Sequence, residues 1–483
     1  MNASLPAIAS VLELFAFLFS NRWVRQWQKR AAPAASGPKK PKQGKGCRQP
    51  SRFYERIFTL RVTLWYLMFQ RLSFDSTLVE VVQDARNGGA DRLSKRGTQL
   101  SKRVRSAHTA SYNEARQRLP VALLQAALES MGEKLQALVG WAAKGQSPPP
   151  QERPRQLLDG STLAMMSTPA IAKEYPPARV RSRLSDWCLM RIVAGFCARS
   201  GAVVSAAQGP TARSEQRLAW QIMARAACWV IWVADRNFGV WSVVAQAVRF
   251  KQGVLFRLTA ARAKKLMGGK PLRSGEDRAV EWSPSRHDQS DAGTERKAVA
   301  GRLIYVRLRR GQRWVDLYLF TTLEAQSCPV ELLVQWYGQR WQAELHFRSV
   351  KTQMRLNELH VKSPEMARKE LYAALMAYSL VRGVMWGAGA NLENGRQTLS
   401  FNNARRVVLD WLKAWGRSLR CSKNTLRGVR KLLEEVRLQC LPRRKAPLAN
   451  QPRMVRCRAK PWPILKGSRQ AAQKRWIAST KSG

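Results

Sequence analysis

The chain has 483 residues, enough for two to four domains and at least one sizeable core. Hydrophobic residues make up 45% of it, which excludes a disordered polyelectrolyte, yet 84 Lys and Arg stand against 32 Asp and Glu, a formal charge of +52. Such a chain repels itself unless a polyanion is near, and nucleic acid fits better than an anionic membrane surface or a ribosomal role. Taken in chain order, the first element is the apolar run Ile8 to Phe19. It is short, contains Glu13, and has its basic residues after it, so it reads as a buried or amphipathic helix rather than a signal peptide or a membrane span. Residues 28–52 read as a basic linker, and residues 55–140 carry helical periodicity with few Gly or Pro. The segment from Gln146 to Arg155 holds three consecutive prolines and marks a boundary.

Beyond that boundary the pattern changes. Gln156-Leu157-Leu158 leads as a strand into Asp159. Cys188 to Cys197 and Ala202 to Ala207 read as a hairpin turning at Arg199-Ser200-Gly201. Ser214 is placed to cap a helix running to Ala226. Cys228 to Ala234 is a continuous apolar run, the pattern of a strand buried on both faces, and it ends at Asp235. A short helix is expected next, to about Phe250. Val254–Leu258, Ile304–Leu308 and Trp314–Phe320 are strand candidates, with Gly311 in a turn. Pro329 opens one long helix and Ser363-Pro364-Glu365 the next. From Arg405 onward the chain is basic and bears tryptophans. The eight cysteines include no C-x-x-C pair and there are only four His, so structural zinc has little support. The cysteines are expected as small buried apolar residues.

Three acids stand out by position. Asp159 and Asp235 leave the ends of strands, and Glu344 lies on the helix after Pro329. Carboxylates at neighbouring strand ends, completed by one from a packed helix, suit hard divalent cations such as magnesium. Two such ions can clamp the attacking and leaving oxygens of a phosphoryl transfer. On a continuous helix Tyr337, Arg340, Glu344 and Lys351 fall within an arc of about 60°. That places a candidate ligand beside a guanidinium fork and an ammonium group, both suited to phosphate. Spacing alone would leave Arg340 and Glu344 as an ordinary helical ion pair, and Asp159 or Asp235 alone as turn or cap residues. His346 lies about 200° around the helix from Glu344 and reads as structural. Trp187, Trp229, Trp232, Trp336 and Trp341 read as packing residues.

The run Trp336-Tyr337-Gly338-Gln339-Arg340-Trp341-Gln342-Ala343-Glu344-Leu345-His346-Phe347-Arg348 resembles the signature helix of bacterial insertion-sequence transposases of the DDE class, in the family bearing the YREK signature and numbered four. Asp159-Gly160-Ser161-Thr162-Leu163 resembles that family's first acid motif, and Ala234-Asp235-Arg236-Asn237-Phe238 its second. Ser111 to Pro120 resembles a segment ahead of that family's core, and Lys351-Thr352 and Ser363 to Leu371 resemble the sequence after the signature. The chain departs from the pattern at Asn237, where Gly is usual, and at Met166-Ser167-Thr168-Pro169, where an Asp would precede the Thr. The resemblance implies an α+β protein with an RNase H-like catalytic core interrupted by a β-rich insertion. It implies cut-and-paste transposition, with Asp159, Asp235 and Glu344 as catalytic metal ligands for two Mg2+ ions, Mn2+ serving as substitute. Tyr337, Arg340 and Lys351 would contact the transposon-end backbone, and Trp314 is the candidate to hold a flipped base. The implied partners are double-stranded DNA, as terminal inverted repeats and target, and a second subunit in the synaptic complex. A cytoplasmic, nucleoid-associated protein without a membrane partner is expected. The alternatives are a catalytically inactive DNA-binding derivative or a related metal-dependent nuclease or recombinase.

The expected organisation is an N-terminal apolar segment and basic linker (1–54), an α-helical DNA-binding domain (55–145), the first part of the core (150–250), the β-rich insertion (251–324), the second part of the core with the signature helix (325–390) and a basic C-terminal region (391–483).

Overall fold

The computed structural model describes residues 5–18, 20–31, 57–75, 77–94, 98–140, 148–180, 183–288, 293–310, 313–389, 399–417, 423–441 and 469–480. The expected turn at Gly311 and most of the basic linker lie outside the described residues. Helices come first: α1 (Leu5–Leu18), α2 (Asn21–Ala31), α3 (Leu60–Leu72), α4 (Leu78–Arg86), α5 (Leu100–Arg103), α6 (Ala110–Arg118) and α7 (Val121–Leu138). The middle of the chain is mixed: β1 (Arg155–Met166), α8 (Pro169–Glu174), β2 (Pro177–Val180), β3 (Arg183–Cys197), β4 (Val203–Pro210), α9 (Glu215–Arg225), β5 (Ile231–Ala234), α10 (Trp241–Arg249), β6 (Gly253–Leu258), α11 (Ala260–Leu266), β7 (Asp277–Trp282), β8 (Val299–Arg310) and β9 (Arg313–Thr321). Helices close it: α12 (Val330–Gly338), α13 (Trp341–Gln353), α14 (Pro364–Gly389), α15 (Phe401–Arg417), α16 (Lys423–Arg437) and α17 (Arg469–Thr480). Met1–Leu441 form one compact unit and Pro442–Gly483 another, of which α17 is the described element.

The strands make one sheet in the order β2-β3-β1-β5-β6-β9-β8-β7, with β4 also paired to β3. β1, β3 and β4 are an antiparallel meander, whereas β5 and β6 run parallel to β1. The alternation of side chains along a strand sorts the sheet into two faces. Leu157, Ile231 and Val233 enter a large core built mainly from helices, while Leu158, Trp232 and Ala234 enter a second core with α9 and α10. β5 is buried at all four positions, which is why its sequence runs apolar without a break. Its one polar side-chain atom, Trp232 Nε1, donates to Gln252 Oε1 at 2.8 Å. The close approach of α7 to β4 depends on Gly132, where a Cβ would come within 2.5 Å of the Val204 carbonyl oxygen.

α14 is the axis of the helical layer. Most of its 26 residues are buried, so it is apolar nearly all round rather than along one stripe. Each fully buried Leu, Met or Val there contributes about 1.5–3 kcal/mol relative to exposure. Its buried carboxylate, Glu370, is gripped by Arg71 of α3 and Arg116 of α6. Among the described residues no helix is long and apolar enough to cross a membrane.

Four local expectations need correction. β1 does not end at Asp159 but continues seven residues to Met166, because β3 remains paired to it throughout. The strand before Asp235 begins at Ile231 rather than Cys228, since Trp229 takes a left-handed conformation with φ 70° and turns the chain. Of the five tryptophans expected to pack, Trp232 and Trp336 are buried, Trp229 is half-buried, and Trp187 and Trp341 are exposed. Among the cysteines Cys188, Cys197 and Cys328 are buried, but Cys228 in the same turn as Trp229 is exposed and Cys440 is intermediate. Cys47, Cys421 and Cys457 lie outside the described residues.

Candidate active site

Asp159 and Asp235 are brought together by strand register. β1 and β5 pair in parallel from Arg155 with Ile231 to Leu158 with Ala234, and the two acids are the next residue of each strand. Both continue the odd-numbered face, the one that carries Leu157 and Val233 and packs against the large helical core. The backbone around Asp159 is held on its other side, where Asp159 pairs with Ala194 of β3. Asp159 Oδ1 accepts from the Gly160 N–H at 2.9 Å, and Asp235 Oδ1 accepts from the Asn237 N–H at 2.9 Å. The second contact is the self-bonding turn that Asp favours at a strand end.

The third acid arrives from a broken helix. α12 and α13 are separate because the backbone tightens between Gly338 and Trp341, where the N–H groups of Gln339, Arg340, Gln342 and Ala343 each bond three residues back instead of four. The single long helix expected after Pro329 is therefore two helices, and the shared face of Tyr337, Arg340, Glu344 and Lys351 is bent at Arg340. The break keeps the pair across it intact: Arg340 Nη2 donates to Glu344 Oε1 at 2.7 Å. α13 packs against β1, and one consequence is that Lys351 Nζ donates to Ser161 Oγ at 2.9 Å. Between them lies a cleft of about 450 Å³ lined by Asp159, Gly160, Ser161, Glu344, Phe347, Arg348, Lys351, Thr352 and Asn357.

Within this cleft the Asp159 carboxyl is under-neutralised. Burial is the main reason the Asp159 carboxyl is raised to about 6, and Asp235 and Glu344 push it the same way; the Gly160 N–H and Arg340 act against them. Burial alone lowers Lys351. Arg340 is raised, the Glu344 carboxylate and the Tyr337 ring outweighing its desolvation. The three acids thus feel one another, yet among the described residues no three His, Cys, Asp or Glu side chains are gathered into a ready metal cluster. The two observations agree if the carboxylates share a neighbourhood without converging to ligand distance, which is what mutual repulsion and the pull of Arg340 on Glu344 dictate. The donor set is all oxygen, the chemistry that hard divalent cations take, with waters filling the remaining positions.

The other named residues fall in different places. Tyr337 is half-buried one turn before Arg340, and burial raises its hydroxyl. Asp235 stands beside Asp159 but does not line the cleft. Trp314 is exposed on β9, four residues before Tyr318, where β9 first pairs with β6, and the Arg307 guanidinium lies over its ring. It is not brought to the cleft. His346 is buried away from it, with Nδ1 3.0 Å from the Tyr378 hydroxyl, and burial lowers it to about 3. Arg348, Thr352 and Asn357 escaped the sequence reading. Arg348 and Thr352 lie four and eight residues after Glu344, so extending the same helical spacing by two turns would have found them.

The site is therefore a cleft lined by Asp159 from a strand and Glu344 from a helix, with Asp235 on the adjacent strand beside Asp159, in a mixed α+β fold. Residues 150–380 match the family model described as a transposase DDE domain. It is similar to the transposase InsG for insertion sequence element IS4 of Escherichia coli (strain K12), with 24% identity over 269 residues that cover 53% of this chain and 58% of that one. This chain thus spans less than two thirds of that relative's length. A chain of the piggyBac transposase synaptic complex with hairpin DNA, solved by cryo-EM, shares 10% identity at a TM-score of 0.40, covering 88% of this chain and 85% of that chain.

Proposed function

We propose that this chain is an insertion-sequence transposase that cuts DNA at the ends of its element and joins them to a target. The observation that carries the reading is the parallel register that sets Asp159 beside Asp235, with Glu344 reaching the same cleft from α13, inside a transposase DDE domain. The meander β4-β3-β1 extended by parallel β5 and β6 supports an RNase H-like core, and β7, β8 and β9 then form the insertion between the second and third acids. Asp159, Asp235 and Glu344 would hold divalent cations, Mg2+ or Mn2+. Bound there, such ions supply charge neutralisation on the phosphate and a lowered pKa for the attacking water or hydroxyl.

The chain's own groups do the rest. Lys351, fixed on Ser161, and Arg348 flank the acids and place positive charge where a phosphodiester enters. Arg340 balances Glu344 until a phosphate competes for its fork. Tyr337 stands beside Arg340, and its hydroxyl, which accepts from Arg257, keeps its own proton to donate to a backbone oxygen. The partner is double-stranded DNA bearing terminal inverted repeats, held by two subunits, and the +52 charge supports a polyanion of that kind.

The test is Mg2+-dependent nicking of a duplex carrying the inverted repeats that flank the gene, with Glu344→Gln alongside. Nicking at the repeat boundary by the wild type and none by the variant, at unchanged DNA binding, is the expected result. A folded, DNA-binding wild type that never nicks would replace the enzyme reading with a binding one.

A further inference from the structure

The turn that follows the second acid is tied to the backbone that follows the first. Asn237, two residues after Asp235, donates its backbone N–H to Asp235 Oδ1 at 2.9 Å. Its side-chain Nδ2 donates to Glu215 Oε2 at 2.5 Å. Glu215 is the first residue of α9, set there by the cap in which Ser214 Oγ accepts from the Arg217 N–H. Its carboxylate lies flat on Gly160: a Cβ at that position would stand 2.4 Å from Glu215 Cδ and 2.6 Å from both of its oxygens. Gly160 in turn supplies the N–H that Asp159 accepts. Gln216 adds a second tie, donating Nε2 to the carbonyl and the side-chain oxygen of Asn237 at 2.8 and 3.0 Å.

From this continuous path we infer that Glu215 and Asn237 are positioning residues, a brace that fixes the orientation of Asp235 relative to Asp159 from the opposite face of the sheet. The inference rests on the reading of Asp159 and Asp235 as cation ligands. Glu215 acts through Asn237 and contributes by accepting its hydrogen bond, so its negative charge is dispensable. Gly160 is required because any side chain there would displace the Glu215 carboxylate. Outer partners of ligating carboxylates hold ligand geometry, and their removal typically weakens metal binding by about 10–100-fold.

The experiment uses the full chain and two readouts. Mn2+ titration followed by electron paramagnetic resonance compares wild type, Asp235→Asn, Glu215→Ala, Glu215→Gln and Asn237→Gly. Hydrogen exchange by mass spectrometry follows residues 235–240 without metal. Loss of Mn2+ affinity of about 10-fold in Glu215→Ala and Asn237→Gly, recovery to within about 3-fold in Glu215→Gln, and faster exchange over 235–240 in the first two are expected. Glu215→Gln falling as far as Glu215→Ala overturns the brace, because charge would then matter. Unchanged exchange over 235–240 in Asn237→Gly overturns it independently of any metal. A wild type that binds Mn2+ no better than Asp235→Asn removes the cation-site reading instead, and the exchange data still decide whether the brace exists.

Discussion

Two groups of buried charge in this molecule are built from the same residue types and behave in opposite ways. Around Glu370, burial would raise the carboxyl, but Arg71 and Arg116 outweigh it and hold it below the ordinary carboxylate range. Around Asp159, burial wins, two further acids add to it, and the single nearby arginine is already shared with Glu344. The Glu370 cluster is closed: its charges are matched, and it joins α3, α6 and α14 into one helical layer. The cleft is open: Asp159 and Glu344 line it with Asp235 beside them, Lys351 is turned to Ser161, and among the described residues only Glu344 of the three acids is bonded to an arginine, which leaves Asp159 under-paired, as the proposed cation site calls for. The comparison teaches that the number of cationic partners per acid, more than burial, separates a structural ion cluster from a chemical one.

The comparison breaks most sharply by mutating each centre in turn. Asp159→Asn should abolish nicking to the detection limit while leaving the melting temperature at pH 7 equal to or above that of the wild type. Its carboxyl is raised in the fold, so the fold loses stability as pH rises from the ordinary carboxylate range through about 6, and the amide relieves that cost. A melting temperature that drops by several degrees would move Asp159 into the structural class. Glu370→Ala should do the reverse, destabilising the protein by about 3–5 kcal/mol by leaving two guanidinium groups buried without a partner. Denaturant unfolding checks it, and a loss under about 1 kcal/mol would mean that water replaces the carboxylate there.

pH sharpens the contrast. Because Glu370 is held below its ordinary value of 4.5, its contribution is present above that pH and is lost as pH falls through the depressed folded value. Unfolding midpoints measured from pH 7 to pH 3 should therefore fall less steeply in Glu370→Gln than in the wild type; parallel curves would remove Glu370 from the acid limb. The smallest effect is expected at the cleft edge, where Lys351→Ala should lower the slope of log affinity against log salt by about 1 with transposon-end DNA. An unchanged slope would show that Lys351 meets Ser161 but no phosphate.

Much of this was legible in the residues. The two strand ends carrying Asp159 and Asp235 were readable because an apolar run ending in Asp recurs at 157–159 and 233–235, though their parallel register came only with the fold, and the cap at Ser214 was readable because Ser precedes a helical run. The positions of Arg340 and Glu344 followed from a four-residue spacing that survives the break between α12 and α13. The break itself was not legible: it is a change from four-residue to three-residue bonding around Gly338, which no periodicity reports. Nor was the continuation of β1 past Asp159, since that depends on β3 staying in register from Gln156 with Cys197 to Met166 with Trp187. The exposure of Trp187 escaped for the same reason, as it pairs with Met166 at the end of that ladder, where both are exposed. Glu215 was invisible because its role depends on a missing Cβ at Gly160, a contact between residues 55 positions apart.

The continuation of β1 through its acid has a mechanical consequence. Asp159 sits inside a ladder that runs on for seven residues, whereas Asp235 stands on a turn and Glu344 in the first turn of a helix that starts at a backbone break. One wall of the cleft is therefore stiff and the opposite wall compliant. On the proposed function, a long duplex seated against such a site would be gauged from Asp159, and the helix bearing Glu344 and Lys351 would adjust to the strand it meets, as the moving jaw of a vice closes on work held against the fixed one.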